Sequence, residues 1–180
     1  LYIELQGVHL SREGTLSIML VYLEALHSVY IVDVQTLGVM AFSTPASSDG
    51  STTLKTILES PNTPKVCFDV WYGADALYHH YQLSLQGIED LQLMEYVASQ
   101  GWLRGQGKLQ RLGACITADA GLTVAEDRRW LELMDHGRSG SFDFSPAGGY
   151  HILHHRPLDP MYLRCCAASL VHLPKLRSRY

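Results

Sequence analysis

The stretch Tyr2-Ile3-Glu4-Leu5-Gln6-Gly7 constrains this chain more than any other. It reads as a core strand, and in a strand residues i and i+2 share a face. Glu4 and Gln6 therefore stand side by side. Burying two such polar side chains without partners is costly, so their placement needs a reason. A metal or nucleic-acid site is one reason. A hydrogen-bonded structural pair is the other.

The rest of the chain supplies enough apolar residues to bury such a strand. With 180 residues it is read as a single domain, 1–180, large enough for a sizeable core. It opens directly in a strand without an initiator Met, which suggests a domain excised from a longer protein. The formal net charge of −4 argues against strong non-specific nucleic-acid binding, though not against a local basic groove. Cys67, Cys115, Cys165 and Cys166 form no CxxC knuckle, so neither a zinc site nor a disulfide framework is expected. Reduced thiols point to the nucleus or cytoplasm. No apolar run reaches membrane-spanning length and no signal-peptide pattern is present.

Two apolar segments, 1–8 and 15–23, flank Ser11-Arg12-Glu13-Gly14, which has turn chemistry and makes a β-hairpin. Val29-Tyr30-Ile31-Val32-Asp33-Val34 is a third strand, rich in β-branched residues. The segment 43–53 is a loop by composition, and 53–60 a short helix stopped by Pro61 and Pro64. Strand 65–70, helix 72–81 and strand 88–91 alternate in the manner of parallel pairing. Helices follow at 92–99, 108–116, 124–135 and 160–178, with a Gly- and Ser-rich loop at 139–149. The sum is an α/β chain. Its mixed five-stranded sheet has three antiparallel strands, then parallel ones, and is flanked by helices.

The order of these features resembles the RNase D-like branch of the DEDD 3′–5′ exonucleases, and the Egalitarian-type domains above all. Glu4-Leu5-Gln6-Gly7 stands where that family reads D-L-E-G, and Ile31-Val32-Asp33-Val34 where it reads I-D-V. Lys65-Val66-Cys67-Phe68-Asp69-Val70 followed by Ala74-Asp75-Ala76-Leu77 is similar to its lysine strand and Asp-bearing helix. Glu89-Asp90-Leu91 matches its aspartate-led strand, and Arg156-Pro157-Leu158 its R-P-L. The resemblance runs over essentially the whole chain and implies an RNase H-like sheet. In such domains four carboxylates hold two divalent metals that hydrolyse phosphodiesters, and a Tyr or His orients the water.

Carried over residue by residue, the resemblance implies a degenerate site. Glu4 replaces Asp, which lengthens the side chain by a methylene that near-octahedral magnesium does not tolerate freely. Gln6 replaces Glu and brings no charge, while Asp75 matches. Ser169 replaces the last Asp, and Cys165, one turn earlier, replaces the water-orienting Tyr or His. Only Glu4 and Asp75 remain as carboxylates, enough for one weakly held ion at most. Cys165 reads as a neutral thiol. Asp33 and Asp90 match features of active members and do not replace the lost groups. Asp69 is the one loose candidate for compensation.

Other residues of interest have plainer readings. The adjacent histidines His79-His80 and His154-His155 diverge and are read as surface or partly buried groups rather than ligands. Trp71, Trp102 and Trp130 are read as core anchors. Arg104, Lys108 and Arg111 fall on one helical face that can follow a phosphate backbone, as can Lys175, Arg177 and Arg179 at the chain's end. Cations at the C-terminal end of the last helix also suit its dipole.

The expected function is therefore a catalytically degenerate exonuclease-like module. It would bind RNA or another single-stranded nucleic acid, a protein partner or a second copy of itself, without a cofactor and away from membranes. Two alternatives stay open. One is an active 3′–5′ exonuclease with an atypical site, using magnesium or manganese. The other is a scaffold that contacts protein only.

Overall fold

A computed structural model describes residues 1–47, 50–99, 108–139 and 151–180, with backbone alone at 136–139 and 151. The chain divides into two compact units, Leu1–Asp90 and Leu91–Tyr180.

The first unit holds the sheet. Strands β1 (Tyr2–Gln6), β2 (Ile18–Leu23), β3 (Ser28–Val32), β4 (Lys65–Cys67) and β5 (Ile88–Asp90) are ordered β3-β2-β1-β4-β5. β1 and β2 pair antiparallel, as do β2 and β3, whereas β4 runs parallel to both β1 and β5. The expected mixed sheet is thus the observed one. Helices α1 (Val34–Leu37), α2 (Met40–Ser43), α3 (Leu54–Leu58) and α4 (Trp71–Tyr81) belong to the same unit.

Alternation along β1 sorts its side chains between two faces. Ile3 and Leu5 join Met19, Val34, Leu58 and Leu77 in one apolar cluster. Burying each such side chain fully contributes about 1.5–3 kcal/mol. α4 lies against this face at very short range, since a Cβ on Gly73 would come within 2.5 Å of Leu5 Cδ1. Tyr2, Glu4 and Gln6 point to the opposite face.

Four elements depart from the sequence-based boundaries, each for a local reason. β3 stops at Val32 because Asp33 turns its carboxylate onto the Thr36 N–H and hydroxyl and caps α1. β4 stops at Cys67 because Asp69 adopts φ +55, which no strand can contain. The N–H groups of Asp69 and Val70 both donate 3.0 Å bonds to the Asp90 carboxylate, which holds that corner. Asp90→Ala is expected to cost about 2 kcal/mol in denaturant unfolding, because two backbone donors lose a charged acceptor. A cost near zero would show that water replaces the carboxylate freely.

The second unit is helical: α5 (Leu91–Ala98), α6 (Leu112–Asp119), α7 (Val124–Ser139), α8 (His151–His154), α9 (Pro160–Leu170) and α10 (Leu173–Arg179). A reciprocal Thr123–Glu126 capping box starts α7. Asp159 caps α9 by accepting from the N–H groups of Met161 and Tyr162. The single helix expected over 160–178 is two, because Pro174 has no N–H to continue the ladder past Leu170. The helix expected over 108–116 begins only at Leu112, where the buried spacing toward Cys115 and Ile116 begins. Among the described residues no helix is long and apolar enough to cross a membrane.

Candidate functional site

Glu4 and Gln6 lie on one face of β1, as the strand period requires, and they are joined by one hydrogen bond. The Gln6 side-chain amide donates to Glu4 Oε1. Glu4 Oε2 is out of solvent with no hydrogen-bond partner among the described residues, although the residue as a whole is only half-buried. Desolvation raises the Glu4 carboxyl from 4.5 to about 7, and the Gln6 amide opposes that rise only in part. Near neutral pH the group is therefore divided between its charged and neutral forms.

Asp75 has a different partner. Arg12, in the loop between β1 and β2, grips it with its guanidinium, Nη2 at 2.7 Å and Nε at 3.0 Å from Oδ1. The Arg12 backbone N–H adds a 2.8 Å bond to Oδ2. These bonds hold the Asp75 carboxyl below the usual aspartate range. Asp75 also rides on α4, the helix that covers the Leu5 face, while Glu4 points to the other face. Of the two carboxylates expected to share one ion, Glu4 is thus bonded to Gln6 and Asp75 is already neutralised by an arginine.

The same loop touches α4 once more, where His80 Nε2 lies 3.1 Å from the Ser11 carbonyl oxygen. His79 and His80 set their rings edge to face, 5.7 Å apart, as diverging neighbours do. Among the described residues no three His, Cys, Asp or Glu side chains come together as a metal site. Asp69 faces Asp90, and burial together with that neighbouring charge raises its carboxyl. Burial also pushes up the Cys67 thiol beside them.

In the second unit Cys165 and Ser169 sit one turn apart on α9. The Cys165 thiol donates to the Leu133 carbonyl oxygen at 3.5 Å, and burial raises it further from ionisation. The Ser169 hydroxyl lies 3.9 Å from Met134 Sδ. Both side chains are therefore turned toward residues of α7.

The basic candidates separate. Lys108 and Arg111 are exposed but precede α6, so they do not form the helical face expected of them. Lys175 and Arg177 are exposed on α10. Arg104 and Trp102 lie outside the described residues, as does nearly all of the loop read at 139–149. Trp130 is a core side chain, but Trp71 is not, with 77% of its surface exposed at the first turn of α4. Sequence reasoning missed Arg12 because it lies in a turn, where Gly14 and Ser11 speak to shape alone. The one signal for it is a cation in the hairpin of a chain that also keeps Asp75.

A mixed sheet of this order, with two antiparallel and two parallel pairings and flanking helices, defines the RNase H-like class of fold. Within that class the chain resembles the RNase D-like 3′–5′ exonuclease domains, as its motifs indicated. RNase D of Trypanosoma brucei, solved in complex with RNA U12, superposes with a TM-score of 0.70 at 19% identity, over 99% of this chain and 54% of that one. NrnC of Brucella melitensis with bound Mg2+ superposes with a TM-score of 0.60 at 11% identity, over 98% of this chain and 69% of that one. A curated relative, the piRNA biogenesis protein EXD1 of Bombyx mori, is 27% identical over 133 residues, or 72% of this chain. The chain spans about 40% of that relative's length. No protein-family model matches it.

Proposed function

We propose that this chain is a catalytically degenerate 3′–5′ exonuclease-like domain that serves as a nucleic-acid-binding module, for RNA first of all, and as a site of protein interaction. The observation that carries this reading is the commitment of its inherited acidic positions to protein partners. Glu4 is closed onto Gln6, and Asp75 is clasped by Arg12. Two-metal hydrolysis needs several charged oxygens converging on a cation pair. Here one position is an amide, one is an acid that titrates near neutrality, and one is paired with a guanidinium. These donors do not fit a pair of divalent ions, and magnesium or manganese enters the account only if activity is retained.

RNA is favoured because a structural neighbour was solved with RNA bound and the curated relative is named for piRNA biogenesis. Lys108, Arg111, Lys175 and Arg177 are exposed, as contacts to phosphate require. The four cysteines form no disulfide, which suits a nuclear or cytoplasmic protein.

Two assays on one preparation test the proposal. Incubation of single-stranded RNA or DNA with magnesium or manganese is expected to give no 3′ trimming. Titration with a labelled single-stranded RNA is expected to give binding that weakens steeply as salt rises. Metal-dependent trimming abolished by Asp75→Ala would replace this reading with that of an active exonuclease. Absent binding, or a flat salt response, would leave a scaffold that contacts protein only.

A further inference from the structure

The net charge of −4 is unevenly divided. Residues 1–90 carry ten acidic and three basic side chains, or −7, whereas residues 91–180 carry eight acidic and eleven basic ones, or +3. Such a split between two halves of a chain is the footprint of a polyanion site on the basic half. The imbalance is steepest from Pro160 to Tyr180, where there are four basic side chains and no acidic one. Arg128 and Arg129 are exposed in the first half of α7, and Lys175, Arg177 and Arg179 are exposed on α10. Lys175 and Arg179, four residues apart, share one helical face. Glu126 shows how near the two helices bring their charges. Its carboxylate accepts from the Thr123 N–H and hydroxyl, both at 2.8 Å. Those bonds, followed by the charges of Lys175 and Arg129, hold it below the usual glutamate range. The acid is thus spent on the cap of α7, and among the described residues neither Arg129 nor Lys175 is in an ion pair. α10 is held by its buried Leu173 and Leu176 and by the Tyr180 hydroxyl, which donates to Asp119 at 2.9 Å. Its cations are therefore presented on a firmly packed helix.

We propose that α7 and α10 form the nucleic-acid surface of this chain, with Arg129 and Lys175 contacting backbone phosphates of a single-stranded RNA. This rests on the nucleic-acid reading above and gives it a place, on the cation-rich helices rather than at the inherited acidic positions of the first unit. A phosphate strand is favoured because the charges left without a pairing acid on this surface are positive, while the first unit, at −7, repels it. Contacts of this kind neutralise charge without reading bases, so the binding tolerates any sequence.

Fluorescence anisotropy with a labelled oligouridylate, titrated at several potassium chloride concentrations, tests the proposal. Each phosphate contact on a single strand steepens the fall of log affinity with log salt by about 0.7. Arg129→Gln and Lys175→Gln are each expected to reduce the slope by about 0.7, and together by about 1.4. Lys55→Gln, which removes a cation of the first unit paired with Glu59, is expected to leave it unchanged. Glu126→Gln keeps a side chain suited to the cap and is expected to bind about twofold more tightly, a gain that misfolding cannot produce. Wild-type binding with a steep slope that neither Arg129→Gln nor Lys175→Gln alters overturns this surface and leaves the nucleic-acid reading standing. An equal fall with Lys55→Gln also overturns it, since bulk charge would then be the cause. Displacement of the oligonucleotide by polyglutamate at equal charge concentration overturns RNA as the occupant. A wild type that binds no oligouridylate removes the reading on which the proposal rests, and the proposal with it.

Discussion

Glu4→Gln is expected to make the protein more stable by about 3 kcal/mol at pH 8 but by only about 1 kcal/mol at pH 5. In the folded chain the Glu4 carboxyl titrates at about 7 rather than at 4.5, because burial disfavours its charged form. The folded state therefore holds this proton more tightly than the unfolded state does. The stability that follows from it is fully present below pH 4.5 and is lost as pH rises through 7. A tenfold difference in proton affinity between the two states is worth about 1.4 kcal/mol, which sets the size of the effect. Glutamine has the shape of the protonated acid, and its carbonyl oxygen can still accept from the Gln6 amide. Denaturant unfolding of both proteins at pH 5 and pH 8 measures the difference. Parallel pH dependences in the two proteins would mean that the Glu4 oxygen is solvated after all. An acid that ionises only in part at neutral pH is also a poor anchor for a divalent ion, so the same titration bears on the proposed loss of metal chemistry.

Gly7→Ala is expected to cost about 3 kcal/mol or more, through a backbone clash rather than a conformational preference. A Cβ at this position would lie 1.8 Å from the Thr15 carbonyl oxygen and 2.8 Å from its carbon. Neither side can yield cheaply. Ser17 N–H donates to the Gln6 carbonyl oxygen at 2.8 Å and Thr15 N–H to that of Val8 at 2.9 Å, which pins the hairpin on both sides of the contact. The expected result is a lower denaturant midpoint with an unchanged slope. Gly121→Ala is the control. It places a Cβ where nothing lies within 4 Å, and it incurs only the strain of φ +61, about 1–2 kcal/mol. Equal losses in the two variants would remove the steric argument. Because Gly7 closes the strand that bears Glu4 and Gln6, the substitution would also loosen Arg12, whose loop begins there.

Much of the frame was legible in the chain. The β-branched run of β3, the hairpin turn before Gly14 and the strand–helix–strand alternation after Lys65 are local signals, and the sheet follows them. Boundaries slipped where a side chain competes with the backbone. Asp33 ends β3 by capping the helix after it, and Asp90 draws in the N–H groups of Asp69 and Val70, closing β4 early. Pro174 was a local signal for the break between α9 and α10, but the apolar spacing across it masked the break. Trp71 was misjudged because composition favours buried tryptophan, whereas its position on α4 leaves it in solvent.

The candidate site divides along the same line. The side-by-side placement of Glu4 and Gln6 follows from the sequence alone, since the two-residue period of a strand needs no partner to enforce it. The absence of charge at Gln6 and Ser169 is likewise a matter of covalent structure. The tertiary structure decided what those groups meet. Arg12 and Asp75 are separated by 63 positions, and only folding brings a hairpin loop onto α4. The raised Glu4 carboxyl and the lowered Asp75 carboxyl arise from burial and from a neighbouring charge. Both depend on distances through space that no spacing along the chain records.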